Sequence, residues 1–338
     1  MCRNGCGTHP TTAVTAPPLP RGLLSRKRGA VPIRARIEKA LNSRVVPVRS
    51  PLTPRGRGNP FMSTQAYILG CQRSGTTLLR LVLECHSKVQ CFDEATAYRL
   101  LAAGGPHATS DKVISVYKIP RWTEQMDRSE LSDYGLEERA SRFYWPPQKI
   151  LYVLRDVADV ITSMLKLKMG PRSWLETWGV PILNWKFDSD PDFAAVHGGD
   201  IAKARLSRYP LVAAGALYWK YKTMPLFRYL ASGYPLLGVC YENLVKTPAP
   251  TLRTICESLQ LDFEPALLNH HLVRHSEVSD NGLAVGDTDT HRAIDAASVG
   301  RAGSMFTPAE MDEIYSMVGD LPDRVNAWLA RACSTQPV

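Results

Sequence analysis

Two spacings of apolar residues alternate along this chain. Short continuous apolar runs, such as KILYVL at 149–154 and PLLGVC at 235–240, lie between longer stretches where apolar positions recur every three or four residues. The first pattern belongs to strands buried on both faces and the second to amphipathic helices. Together they predict strands at 67–69, 113–118, 149–154 and 235–240. Helices are predicted at 76–86, 157–168, 209–231, 251–259, 265–273 and 308–332. Pro120 stops the second strand. Asp156, with Asp159 three residues on, supplies an N-cap and a first-turn acid for the helix at 157. Residues 169–208 are broken by Gly and Pro and receive no element. Strands alternating with helices make an α/β fold, with ligands expected at the carboxyl ends of a parallel sheet.

The junction of the first strand and first helix, YILGCQRSGTTLL at 67–79, carries the strongest chemical signal. A loop from Gly70 to Gly75 opens directly into a helix, so consecutive backbone N–H groups converge on one point. That is a cradle for an anion, and Gly75 allows close approach of the backbone. The nucleotide-triphosphatase form of this loop reads G-x-x-x-x-G-K-[ST], and here Thr76 stands in place of the lysine. Without the lysine that reaches the β- and γ-phosphates beside magnesium, Arg73, Ser74, Thr76 and Thr77 suit a smaller anion held without metal. The fold expected is a P-loop-type parallel sheet flanked by helices, in a single domain over residues 62–335. A tight strand-to-helix turn with no ligand is the plain alternative.

Charge changes the picture only once it is divided along the chain. The net charge is +9, yet residues 1–61 hold twelve basic side chains and one acid, Glu38, so the remainder is slightly acidic. The body therefore has no overall charge for binding nucleic acid. Residues 1–61, rich in Pro, Arg, Ser and Thr, are expected to be a disordered basic leader. They read either as an organellar transit segment or as an upstream extension before a start at Met62; a basic arm for nucleic acid or acidic lipid is a third reading. No apolar run is long enough to span a bilayer. Eight cysteines without a C-x-x-C pair fit free thiols, Cys240 buried among them, in a reducing compartment such as the cytoplasm. Zinc is not expected.

The string QRSGTTLLR at 72–80 resembles the 5′-phosphosulfate-binding loop of sulfotransferases that use 3′-phosphoadenosine-5′-phosphosulfate (PAPS). The pair Arg155 and Ser163, in RDVADVITS, looks like the 3′-phosphate motif of the same family, and a guanidinium with a hydroxyl is a sensible reader of a phosphate. On the residues alone, Arg155 could instead pair with Asp156 or Asp159. CYENL at 240–244 is similar to the family's strand-end stretch. The resemblance implies that Tyr241 lies near the donor's adenosine, while Glu242 reads as half of an ion pair and Tyr241 alone as a core residue. SVGR at 298–301 resembles the segment that returns a basic residue, here Arg301, to the 3′-phosphate; an aromatic residue often follows in the family, and Ala302 follows here.

Sulfuryl transfer to a hydroxyl is an in-line displacement. It needs a positioned donor, positive charge on the moving oxygens and a base for the acceptor proton. Arg73 and Lys118 supply the charge; Lys118, in VYKIPRW, stands where the family carries a lysine before proline. FDEA at 92–95 resembles the paired acids of the protein-tyrosine sulfotransferase branch, which implies Glu94 as the base. That branch has two glutamates where this chain has Asp93 and Glu94, so the acceptor is left open among small molecules, carbohydrates and lipids. Trp122, Trp174, Trp178 and Trp185 offer faces for a ring or ordinary packing. His270, His271 and His275 suggest no ligand set. The expected donor is PAPS and the product adenosine 3′,5′-bisphosphate (PAP), with no metal and with oligomer formation open. A magnesium-dependent P-loop kinase or triphosphatase, or an inactive nucleotide-binding protein, are the other readings.

Overall fold

The computed structural model describes residues 64–102, 112–128, 148–277 and 288–334, together with 130, 131, 134, 140, 141, 283, 284 and 286. The expected leader, residues 1–61, lies outside them. In chain order the elements are β1 (Thr64–Gly70), α1 (Thr76–Glu84), β2 (Val89–Phe92), α2 (Glu94–Ala102), β3 (Ile114–Lys118), β4 (Lys149–Leu154) and α3 (Val157–Lys166). Then come α4 (Val180–Ser189), α5 (Pro191–Leu206), α6 (Pro210–Thr223), α7 (Pro225–Ala231), β5 (Leu236–Cys240), α8 (Tyr241–Lys246), α9 (Pro248–Ser258), α10 (Pro308–Val318) and α11 (Leu321–Ser334).

Five strands form one parallel sheet in the order β2-β3-β1-β4-β5, with Tyr67 opposite Tyr117 and Ile150. Alternate residues of each strand feed two cores. Tyr67, Leu69, Tyr117, Ile150 and Tyr152 pack with α3, α6 and α10 on one face. Ala66, Ile68, Val116, Leu151 and Val153 pack with α1 and α9 on the other. Burial on both faces is why the strands read as continuous apolar runs rather than as alternations. The α/β expectation holds, as one helix-rich domain around a parallel sheet. No helix among the described residues is long and apolar enough to cross a membrane.

Several boundaries differ from the sequence expectation, each for a local reason. Strand β2 was not expected; it is a short strand beside β3 with apolar residues only at 89, 91 and 92. Residues 169–208, expected to be broken, contain α4 and α5, each with proline in its first turn, where the missing N–H is harmless. The helix expected at 209–231 splits before Pro225, and that expected at 308–332 splits at Gly319, whose φ is +61°. Residues 265–272 form 3₁₀ turns rather than an α-helix.

Two contacts set the sheet's ligand edge. At the end of β1, Gly70 lies against β4 so closely that an added Cβ would sit 2.3 Å from the Val153 carbonyl oxygen, at φ +128°. The buried Thr123 hydroxyl accepts from the Gly70 N–H at 2.9 Å and donates to its carbonyl at 2.8 Å. In α3, Asp156 caps Asp159 N–H at 2.9 Å as expected. Asp159 does more than begin the helix. Its carboxylate accepts from the N–H groups of Gly300 (2.7 Å) and Ala302 (3.0 Å), holding residues 298–302 against the sheet edge.

Gly70→Ala is expected to lower stability by about 2–4 kcal/mol, since both the strain and the backbone overlap must be relieved. Asp159→Asn, which keeps the size but leaves two N–H groups facing a neutral amide, is expected to lose about 1.5–3 kcal/mol. Urea unfolding followed by circular dichroism measures both.

Candidate active site

The loop after β1 takes its shape from two left-handed residues, Arg73 (φ +73°) and Gly75 (φ +96°). Ser74 N–H closes the turn onto the Cys71 carbonyl at 3.2 Å. Gly75 is the N-cap of α1 and no side chain caps that end. The N–H groups of Thr76, Thr77 and Leu78 therefore have no acceptor within the helix. Among the described residues the buried Ser74 hydroxyl has no hydrogen-bond partner, nor does Nε of Arg155. Unsatisfied donors of this kind around a glycine loop fit a bound oxyanion.

Arg155 leaves the end of β4 with its carbonyl fixed by the Trp219 indole N–H at 3.1 Å. Its guanidinium donates to the carbonyls of Arg73 (3.1 Å) and Ser298 (2.6 Å), and lies 4.3 Å from the Tyr241 ring centre. Neither Asp156 nor Asp159 pairs with it. The Tyr241 ring sits over Gly75, where a Cβ would come within 2.3 Å, and its hydroxyl meets Ser298 Oγ at 2.7 Å. Ser163 Oγ, on α3, accepts from Arg73 Nε at 3.1 Å. Arg73, Gly75, Thr76, Thr77, Arg155, Ser163, Tyr241, Ser298 and Arg301 line one cleft. Thr162 and Lys166 of α3, with Lys168 just beyond it, extend the wall of this region.

A second cleft shares Arg73, Thr76 and Thr77 with the first. Its other walls include Gln72, Glu94, Lys118, Arg121, Leu167, Trp174, Trp178 and Gly286. Lys118 is not a surface lysine: it is 1% exposed and its ammonium donates to Thr77 Oγ1 at 3.3 Å. Glu94 opens α2 directly behind Asp93, whose carboxylate accepts from Ala95 N–H at 3.1 Å. Burial raises the pKa of Glu94, against the attraction of Lys118 and Arg121 and with the repulsion of Asp93. Burial likewise lowers that of Lys118, against the pull of Glu94. Burial thus disfavours the charged form of each, and their mutual attraction opposes it.

Arg121 is the main residue the sequence reading passed over, although it sits in the quoted VYKIPRW. It is carried on the turn Pro120–Gln125, whose Arg121 carbonyl accepts from Lys222 Nζ at 2.6 Å. Lys222 also pairs with Glu124, and Lys186 approaches Glu124 at 3.0 Å. Burial works to raise the Glu124 pKa, but the two ammonium groups hold it well below the carboxylate range. Gly286 was also missed; its carbonyl accepts from Arg73 at 2.6 Å.

Other assignments change. Among the described residues Glu242 makes no ion pair and instead accepts from Asp156 N–H (3.1 Å) and the Cys240 thiol (3.1 Å). Cys240 is half-buried rather than buried. Trp122 packs on Tyr98 in the core, and Trp185 is outside the cleft lining, leaving Trp174 and Trp178 at its wall. His275 serves structure, bonding Glu84 and the His270 carbonyl.

Three solved structures share the general layout. The sulfotransferase domain from the curacin biosynthetic pathway is 16% identical, covering 76% of this chain and 98% of its own, with a TM-score of 0.47. That from the Synechococcus PCC 7002 olefin synthase is 18% identical, with coverage of 78% and 97% and a TM-score of 0.43. A mouse sulfotransferase complexed with PAP is 14% identical, with coverage of 79% and 90% and a TM-score of 0.43. No curated protein matches the chain. Residues 66–144 match the model described as the sulfotransferase family. The anion loop, Glu94, Lys118 and β1 from Ala66 onward lie inside the matched stretch, and over it the chain is similar to the sulfotransferase family.

Proposed function

We propose that the protein transfers the sulfuryl group of PAPS to an acceptor hydroxyl. The observation that carries this reading is the joining of two clefts at Arg73, Thr76 and Thr77, one basic and glycine-floored, the other holding Glu94 beside Lys118. A donor bound in the first cleft presents its transferable end to the second.

The residues divide the work by position. Loop N–H groups with Ser74, Thr76 and Thr77 hold the 5′-phosphosulfate. Arg155, Ser163 and Arg301 hold the 3′-phosphate, and Tyr241 walls the cleft beside Gly75. PAPS supplies the activated sulfuryl group. Arg73 and Lys118 neutralise charge on the moving oxygens, and Glu94 accepts the proton of the acceptor hydroxyl. Trp174, Trp178 and Leu167 present apolar faces for the body of the acceptor, which suits a ring-bearing small molecule, sugar or lipid.

PAP without magnesium is expected to raise the melting temperature more than magnesium-ATP does. Equal protection by magnesium-ATP would favour the kinase reading. Each charge-assisted contact is worth about 1.5–3 kcal/mol, so Arg155→Ala is expected to weaken PAP binding about tenfold to a hundredfold by calorimetry.

Glu94→Gln is expected to lower kcat at least about a hundredfold while PAP affinity changes little. Asp93→Asn is expected to be milder, because asparagine also caps a helix. A base must be ionised, and burial raises Glu94, so kcat is expected to rise with pH through a midpoint above the ordinary glutamate value. Initial rates across a pH series, with an acceptor found by donor-consumption screening, check all three.

A further inference from the structure

The acid end of the second cleft is tied to α1 by a partly buried ionic network that the reaction itself does not use. Arg80, on α1, is fully buried. Its guanidinium faces Glu84 at 3.4 Å and Glu277 at 3.8 Å, and donates to the Ser276 carbonyl at 3.3 Å. Glu84 in turn holds the 275–276 stretch, accepting from His275 Nδ1 at 2.9 Å and Ser276 N–H at 3.1 Å. The free end of this network stops one residue short of the cleft: Glu277 Oε2 accepts from the backbone N–H of Asp93 at 2.7 Å. Asp93 is the residue immediately before Glu94. The backbone of Glu277 is left-handed, with φ +56°, a strained conformation for a residue with a Cβ that persists only where its surroundings fix it.

We propose that Glu277, tethered by Arg80, is a positioning residue for Glu94, clamping the start of α2 so that the acid stays beside Lys118. The proposal rests on the reading of Glu94 as the base. It gives α1 two jobs: its first turn holds the anion, and Arg80 on the same helix anchors the acid. Donor and base then share one rigid frame, which is what in-line geometry requires.

The groups that act on Glu94 are Lys118 from β3, Arg121 from the following turn, Lys222 from α6 and its neighbour Asp93. Desolvation outweighs them, so a slackened clamp that exposes the half-buried Glu94 further lets its titration fall toward that of an ordinary glutamate.

The test is a carbon-13 NMR titration of glutamate side chains in the full chain, with Glu94 identified by its absence in Glu94→Gln. Glu277→Ala is expected to move the Glu94 midpoint down toward that of an ordinary glutamate. Glu277→Gln, whose amide oxygen still accepts from Asp93 N–H, is expected to preserve it. A purely structural role would lower the melting temperature in both variants and leave the Glu94 midpoint in place, which overturns the proposal. Should Glu277→Ala not fold, amide exchange in the unmodified protein decides. The clamp requires the Asp93 N–H to be protected as the N–H groups of β2 are, and exchange at the rate of an open loop overturns it. The titration reports where Glu94 sits whether or not it is the base, so a negative result here is separate from a negative result in the Glu94→Gln kinetics.

Discussion

The contact of the Tyr241 ring with Gly75 is the constraint on which the site depends. At 2.3 Å from the position of a Cβ, the ring occupies space that only glycine leaves open. The same ring takes the Arg155 guanidinium, a cation–π contact worth about 0.5–2 kcal/mol depending on desolvation. Three strand ends are thereby brought into register. The loop after β1 supplies the N–H groups, the end of β4 supplies the cation, and β5 supplies the aromatic wall that joins them. Ser298 completes the arrangement from far along the chain, accepting from Arg155 and meeting the tyrosine hydroxyl.

Around this stack, charge is handled by pairing rather than by exposure. Arg155 spends two of its donors on carbonyls and keeps Nε unpartnered. The Lys222–Glu124–Lys186 cluster sits behind the acceptor side, where it fixes the Arg121 carbonyl. Buried ion pairs add little net stability once desolvation is counted, but they resist rearrangement because a lone buried charge is so unfavourable. That property suits a site whose acid and lysine must be held in fixed, partly dry positions.

Much of the sheet could be read directly. The run 149–154 coincides with β4, and Asp156 caps α3 as its spacing implies, because both depend on neighbours in sequence. Helix ends were less legible. Met224, the one residue between α6 and α7, keeps right-handed helical angles although Pro225 ends the ladder there, and Gly319 ends α10 by taking a positive φ. In 169–208 proline and glycine suggest breaks by their type alone, whereas Pro181 and Pro191 sit in first turns that have no use for an N–H.

For the site, the sequence by itself determined the local pieces: a glycine loop opening a helix, an arginine ending a buried strand, an acid opening a helix, and a lysine before proline. Each is set by backbone sterics and apolar spacing within a few residues. Only the tertiary structure decided how those pieces meet. Glu277 grips Asp93 across 184 residues, Arg73 reaches Gly286 across 213, and Asp159 holds Gly300 across 141. Partners that far apart are chosen by how the two cores pack, and no local pattern of side chains encodes that choice.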